Sequence, residues 1–499
     1  MGAVPIPRRE GPRRWLLALG CFGLLGFFFS PPFGAFLAWS RTPELRDLIE
    51  VRRGASVLEQ AAHPGAPLRD PLHAAIQWRL LFPVIGHVLG LPGPALFALA
   101  PLGCLCALAF IITVLRRQRM GWTETAAAAV VLGAGAWYFT SLCWLGYYDS
   151  WLVLALLLTA FARTRRAVWA ACLWAPWVDE RFVLAAPLAL CCRHLWPQKP
   201  ASAADWKKEY GVPAALILAF VAVRLGILGG RSAPMATVSG YLAAFHPGAA
   251  PFGRLLFGAW SGLRLGWLLV IAAVALAAPR SRPGAALAAL VALVLVAGLA
   301  TAQDLGRSMM LEAPAALLGA LLLAGSRPSW LRRGLLAAAA AALLLPAHLV
   351  VSNRVNPVFY LYHELAALDH PAGVGSPEFY ELQGMLAMQQ GDYGAAEADF
   401  TMAIRFGDKP ASAYQQRGLL RATENRLAEA REDFTEVTRE DPRNPDGWFY
   451  RAHADLALGE AGAALSDFQQ ARAVGSESWQ RRPDVAQFAA GLGRQTGRP

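Results

Sequence analysis

Six charged residues offer most of the chemistry in this sequence. Asp149 stands in GYYDSW, and Asp179, Glu180 and Arg181 stand together in APWVDERFVLAAPLAL. Arg307 lies in QDLGRSMMLE and Arg79 in QWRLLFP. A positioned carboxylate can take the proton from an attacking hydroxyl, and a guanidinium fork can hold a phosphate through two parallel hydrogen bonds. All six sit in or beside apolar runs. A charge at membrane depth costs at least a few kcal/mol and usually faces a bundle interior or a water cavity, so together they outline a pocket. Asp70, in the long polar stretch Ser40–Arg79, joins Asp149, Asp179 and Glu180 as a candidate base, while Arg79, Arg181 and Arg307 are the candidate phosphate ligands. Asp47 and Glu50 of the same stretch have supporting places, as does Asp304, which can pair with Arg307 at i, i+3 on one helix face.

Other polar residues carry less. Arg41, Arg46, Arg52, Arg53, Glu44 and Glu59 read as surface, and the lone His73 and His87 as packing residues. Trp144, Tyr147, Tyr148, Trp151, Trp174 and Trp177 fall at one level, as an interfacial belt or as stacking surfaces for a sugar ring. The seven cysteines all lie in or beside apolar segments without C-x-x-C spacing, which proposes neither a disulfide framework nor a metal site.

The elements that must position these residues are membrane helices. The 499-residue chain is 56% hydrophobic, has a mean hydropathy of +0.36, and is only 16% charged, well below the quarter usual in soluble domains. Apolar runs predict spans over Trp15–Phe36, Pro94–Leu115, Thr123–Leu145, Val212–Leu228, Leu255–Ala278, Gly284–Ala302, Met309–Gly325 and Leu335–Val350. Three shorter runs between Ser150 and Trp196 bring the expectation to about eleven crossings. The basic N-terminal head and the apolar run behind it lack a clean cleavage site and read as an uncleaved first span.

The basic residues orient the bundle. With the N-terminus inside, the short inner loops 116–119, 163–166, 193–208, 279–282 and 327–333 hold 15 arginines and lysines, whereas the short outer loops after the first hold only Arg181, Arg231, Arg254 and Arg307. Nearly every acid of the membrane half then falls on the outer side. Such bases mark cytoplasmic loops and headgroup contacts, so no nucleic-acid partner is expected. Arginine outnumbers lysine 42 to 4 among abundant Ala, Gly and Pro, a composition expected of a GC-rich bacterial genome. The place implied is a bacterial inner membrane, multi-pass, with a cytoplasmic N-terminus.

From Ser376 onward the composition turns acidic, with 14 basic residues against 19 acids, and a repeat emerges. Three 34-residue units, 377–410, 411–444 and 445–478, align without a gap. Their eighth positions are Gly384, Gly418 and Ala452, their twentieth Ala396, Ala430 and Ala464, and their twenty-fourth Phe400, Phe434 and Phe468. Gly391, Asn425 and Gly459 share the turn position. These features resemble the tetratricopeptide repeat. The expected organisation is all-α: a polytopic membrane domain over 1–352, a linker at 353–376, an α-solenoid of three repeats over 377–478, and a capping helix and tail over 479–499.

A multi-span bundle with acids in a long first outer loop, short helices bearing outer-face charges, and extracytoplasmic tetratricopeptide repeats also resembles the GT-C superfamily of membrane glycosyltransferases. The plan is similar to that of the transmembrane-and-tetratricopeptide mannosyltransferases. The resemblance implies a polyprenyl-phosphate sugar as donor and a first-loop acid, here Asp47, Glu50 or Asp70, as base or as ligand to a divalent metal. This loop departs from the family in having no adjacent acidic pair; Asp179–Glu180 is the adjacent pair on the outer side. Two functions follow as expectations. One is sugar transfer at the outer face, with the repeats recruiting a protein acceptor. The other is a non-enzymatic membrane scaffold that binds a protein or peptide in the repeat groove.

Overall fold

The structure, a computed structural model, describes residues 10–29, 49–66, 68, 77–196, 203–226, 252–301, 305–345, 347–351, 354–358, 377–389, 391–407 and 410–496. Helices dominate, and among the described residues the strands form a single two-stranded antiparallel ladder. The chain divides into two compact units, Met1–Tyr362 and His363–Pro499.

The first unit contains α1 (Glu10–Phe29), α2 (Ile49–Ala62), α3 (Leu81–Leu89), α4 (Gly93–Arg117), α5 (Trp122–Gly133), α6 (Ala136–Cys143), α7 (Asp149–Phe161), α8 (Arg165–Val178) and α9 (Arg181–Leu195). It continues with α10 (Val212–Gly226), α11 (Phe252–Leu263), α12 (Gly266–Ala277), α13 (Arg282–Thr301), α14 (Leu305–Met309), α15 (Ala313–Ser326) and α16 (Leu331–Leu344). Local signals set several boundaries. Pro94 occupies the first turn of α4, where its missing N–H costs nothing. The Thr164 side chain accepts from the Ala167 N–H and opens α8.

Among the described residues five helices are long and apolar enough to cross a membrane: Glu10–Phe29, Gly93–Arg117, Lys207–Gly226, Arg282–Leu299 and Leu305–Ser326. Two bent pairs raise the number to seven if each counts as one span. The described residues therefore give five to seven such spans, against the eleven crossings expected. The difference has identifiable causes. The expected span Thr123–Leu145 breaks at Gly133–Gly135 with a 68° bend between α5 and α6, and Leu255–Ala278 breaks around Arg264 with an 89° bend. Arg264 takes a left-handed φ of 51° there. The same guanidinium donates to the Leu345 carbonyl and, at 3.4 Å, to the Ala134 carbonyl in the other break, and it lies over the Phe29 ring. One side chain thus serves backbone groups freed at a helix break and at a helix end, as a low-dielectric interior requires.

The runs between Ser150 and Trp196 become α7, α8 and α9, of 13, 14 and 15 residues. At 1.5 Å per residue these cover about 20–22 Å of a hydrocarbon core about 30 Å thick. Helix α7 is buried on almost every side, packed among α4, α8, α9 and α15. Its uniform apolarity reflects a central position rather than a lipid-facing one. The expected span Leu335–Val350 stops at Leu344 in α16. Beyond it β1 (Ala347–Val351) pairs antiparallel with β2 (Arg354–Val358), a β-branched segment that occupies the start of the expected linker.

Among its described residues the second unit has three helix pairs, a single helical turn at Glu477–Gln480 and a final helix: α17 (Pro377–Gln389) with α18 (Tyr393–Phe406), α19 (Ala411–Thr423) with α20 (Leu427–Glu440), α21 (Pro445–Ala457) with α22 (Ala461–Val474), and α23 (Pro483–Thr496). The 34-residue period reappears in the geometry. Gly391, Asn425 and Gly459 all adopt left-handed φ, at 73°, 61° and 87°. The following N–H groups, of Asp392, Arg426 and Glu460, each donate back to the carbonyl five residues earlier, of Ala387, Arg421 and Asp455, and close the same C-terminal turn three times. Ala396, Ala430 and Ala464 are all fully buried. Arg417 pairs with Asp433 and, 34 residues on, Arg451 pairs with Asp467. Helix α23 adds Phe488 and Leu492 to the core of the third pair, around Phe449 and Trp479.

Candidate functional site

The charged residues singled out in the membrane unit converge on one cluster. Asp149 opens α7, where its carboxylate also complements the positive end of the helix. Its position is fixed by neighbours on two helices: the Ser150 N–H donates to Ser141 Oγ at 2.9 Å, Ser150 Oγ to the Ala100 carbonyl at 2.8 Å, and Trp151 Nε1 to the Leu99 carbonyl at 2.6 Å. The preceding turn needs Gly146 twice over. Its φ is +79°, and a Cβ there would lie 3.0 Å from the Arg53 carbonyl of α2. Arg307 is carried by α14, which approaches α11 backbone to backbone across Gly258 and Gly262, spaced as the small residues of close membrane-helix contacts.

Arg307 grips Asp149 with two donors, Nε to Oδ2 at 2.6 Å and Nη2 to Oδ1 at 2.7 Å. Thr140 Oγ1 donates to Oδ2 at 2.6 Å and Arg181 Nη2 to Oδ1 at 3.3 Å. Asp179, in extended backbone after α8, is held as fully. Its Oδ1 accepts from the Arg181 N–H and Nε at 3.0 and 2.9 Å, and its Oδ2 from Arg181 Nη2 and Arg79 Nη1 at 2.7 and 2.8 Å. Arg79 then forks onto Glu180, Nε at 3.0 Å and Nη2 at 2.8 Å. The result is an alternating chain, Arg307–Asp149–Arg181–Asp179–Arg79–Glu180. Asp149 and Asp179 are each 2% exposed, while the Glu180 side chain, at 43%, is the open end.

The lone-pair count decides what these acids can do. A carboxylate has about four acceptor positions, and Asp149 and Asp179 each receive four hydrogen bonds. To take a substrate proton Asp179 must release an Arg181 or Arg79 contact, and Asp149 must release an arginine or the Thr140 hydroxyl, which can turn to the Ala136 carbonyl. In this arrangement both act as holders of guanidinium groups, and Glu180 is the solvent-facing carboxylate of the cluster.

Arg53 is the residue that sequence reasoning missed. Expected at the surface, it is 4% exposed and lines a small cavity with Arg79, Arg307, Tyr147, Asp149 and Asp179. Its Nη1 is buried without a hydrogen-bond partner. The cavity measures about 10 Å³, room for about one water. Among the described residues, against three paired arginines and three carboxylates, Arg53 leaves the cluster with one positive charge in excess. A signal was present: Arg53 shares the inward face of α2 with Gly54, Val57 and Gln60, all buried at helical spacing.

The remaining expectations divide. Asp47, Asp70, Asp304 and His73 lie outside the described residues; Glu50 falls in α2, whose side chains are described only from Arg53 onward. His87 is exposed and bonds the Ala61 carbonyl at the α2–α3 contact. Of the aromatic set, Tyr147 lies 4.5 Å beneath the Arg307 guanidinium, Tyr148 stacks on Phe82, and Trp151 meets Trp174 edge-on. Among the described residues no group of three or more His, Cys, Asp and Glu side chains is placed to hold a metal ion. No protein-family model matches this chain, and no curated protein matches it in sequence.

Proposed function

We propose that the first unit is a membrane glycosyltransferase of GT-C type, moving a sugar from a polyprenyl-phosphate donor to an acceptor at the outer face of a bacterial inner membrane. The observation that carries this reading is Arg53. Arg53 is buried beside Arg79 and Arg307, its Nη1 has no hydrogen-bond partner among the described residues, and a donor phosphate oxygen has the size of the single water the cavity admits. Asp149 and Asp179 hold Arg307, Arg181 and Arg79 at fixed positions around it. The base that deprotonates the acceptor hydroxyl is then Glu180 or one of the first-loop acids Asp47, Glu50 and Asp70. A divalent metal, where used, would join those same loop acids.

The second unit, on this proposal, is a solenoid of three tetratricopeptide repeats with α23 as its cap, lying outside the membrane and recruiting a protein or peptide acceptor. The left-handed turn residue, the buried alanines and the Arg–Asp pairs, all recurring at 34 residues, support it.

The test is consumption of lipid-linked sugar by membranes containing the full chain. Arg53→Gln abolishes consumption while the protein still inserts and unfolds at the wild-type temperature, and Arg53→Lys retains part of it, since a lysine supplies the charge without the fork. Wild-type turnover by Arg53→Gln would overturn the proposal. One observation favours a second reading, a non-enzymatic scaffold. The saturated Asp149 and Asp179 have the form of ion pairs that hold helices together, and on that reading Arg53→Gln changes no chemistry, while Asp149→Asn lowers bundle stability alone.

A further inference from the structure

A second set of arginines stands at the far end of α4. Tyr148, beside the outer cluster, bonds the Leu96 carbonyl near the start of α4, and Arg117 is its last residue. The 21 residues between them rise about 32 Å, close to the thickness of a bilayer core. There Arg14 of α1, which reaches Thr113 one turn before Arg117, and Arg163 of the turn between α7 and α8 lie near Arg117. Both exert charge on it, and both have its own sign. The Nε and Nη1 atoms of Arg117 are buried without hydrogen-bond partners. Glu10, the acid nearest this end of α1, is engaged by Arg116 at 3.2 Å, and Arg116 also lies 4.1 Å over the Trp122 ring. Arg14 holds its place by donating to the Glu10 carbonyl at 3.2 Å and to Thr113 Oγ1 at 3.4 Å.

A cation at a helix C-terminus interacts favourably with the dipole, but it does so most directly by bonding the last carbonyls, which these two nitrogens do not. Like charges gathered around buried, unpaired donors call for an anion. The neighbouring surface says which kind. Immediately past Arg14, α1 exposes Trp15, Leu16 and Leu19, at 54%, 67% and 54%, an apolar face suited to acyl chains.

We propose that Arg14, Arg117 and Arg163 form a binding site for the phosphate of an anionic diacyl lipid, with its acyl chains along the exposed face of α1. The site is separate from the Arg53 cluster and needs no catalytic activity. Basic residues near a membrane surface bind anionic lipid with about 1 kcal/mol each, or about fivefold in affinity.

The experiment adds phosphatidylglycerol, phosphatidylcholine or inorganic phosphate to the full chain in neutral detergent, reading the unfolding temperature and the lipid retained in native mass spectrometry. Phosphatidylglycerol is expected to raise the unfolding temperature and to remain bound where phosphatidylcholine does not. Arg117→Gln weakens that response about fivefold. Arg163→Gln, at an exposed position, weakens it likewise, and Arg53→Gln leaves it intact. Equal responses to the two lipids, or wild-type behaviour from both Arg117→Gln and Arg163→Gln, would overturn the proposal. So would stabilisation by inorganic phosphate alone, which would assign the cluster to a soluble anion.

Discussion

The Asp149–Arg307 pair shows what burial does to a pair of charges. Both ends are nearly sealed from solvent, and each has geometry close to the best a guanidinium and a carboxylate can make. Such a pair adds little net stability over apolar residues, but breaking it by removing one partner strands the other and costs about 3–5 kcal/mol. Asp149→Asn and Arg307→Gln are therefore each expected to lower the unfolding temperature sharply in detergent. The double variant should lose less than the sum, with a coupling of about 1 kcal/mol or more; strict additivity would refute the pairing. The convergence of Arg79, Asp149, Asp179, Glu180, Arg181 and Arg307 was legible in the sequence, because charges in apolar surroundings have few places to go. Their partners were not. Spacing suggested Asp304, which lies outside the described residues, for Arg307, and gave no hint of Asp149, brought to Arg307 by a contact between α7 and α14 that no local pattern encodes. Arg53 was concealed by its neighbours, since the adjacent Arg52 and a polar flank made the segment look like surface.

At the scale of elements, the second unit was the more legible because its information repeats. Period, turn position and buried alanines all reappear where the alignment put them. The packing has a direct test. A Cβ on Gly418 would meet the Phe434 ring at 2.6 Å, so Gly418→Ala is expected to destabilise this unit by about 1–3 kcal/mol despite the better helix propensity of alanine. In the third pair Ala452 already occupies the equivalent place opposite Phe468, and Ala452→Gly should cost about 1 kcal/mol, the propensity term. Chemical denaturation followed by helical signal separates the two. A second test concerns the contact between α21 and α23. His453 packs against Phe488 with ring centroids 4.0 Å apart and planes tilted by 37°, and burial lowers its imidazole below the ordinary value of 6.5, against a smaller opposing pull from Asp484. As the pH falls through about 6.5 the unfolded chain takes up this proton first. The unit should therefore lose stability on acidification until the folded imidazole also protonates, and His453→Gln should flatten that slope. Asp455, whose carboxyl burial raises, acts in the opposite sense at lower pH. In the membrane unit the elements were less legible. Hydropathy runs on without interruption through VLGAGAW, while the backbone turns at Gly133–Gly135, because a glycine pair permits a break without demanding one. The strands at 347–358 were lost for a related reason: an apolar β-branched run after α16 reads equally as the end of a span.

For the whole molecule, membrane character follows from composition alone, and five apolar helices of spanning length among the described residues bear it out. Orientation, donor and acceptor belong to the proposal. Its coherence lies in the separation of labour along the chain. At one end of α4, arginines line a small cavity in which Arg53 Nη1 has no hydrogen-bond partner, at the other end arginines lie beside an apolar face, and an acidic helical unit follows. The most direct measurement is photo-crosslinking of the full chain in membranes with a polyprenyl-phosphate probe, followed by mapping of the labelled peptides. Label is expected on the segments around Arg53, Arg79–Phe82 and Gly146–Asp149, strongly reduced in Arg53→Gln and unchanged in Arg117→Gln. Label confined to other segments, or equal labelling of the wild type and Arg53→Gln, would contradict the proposal.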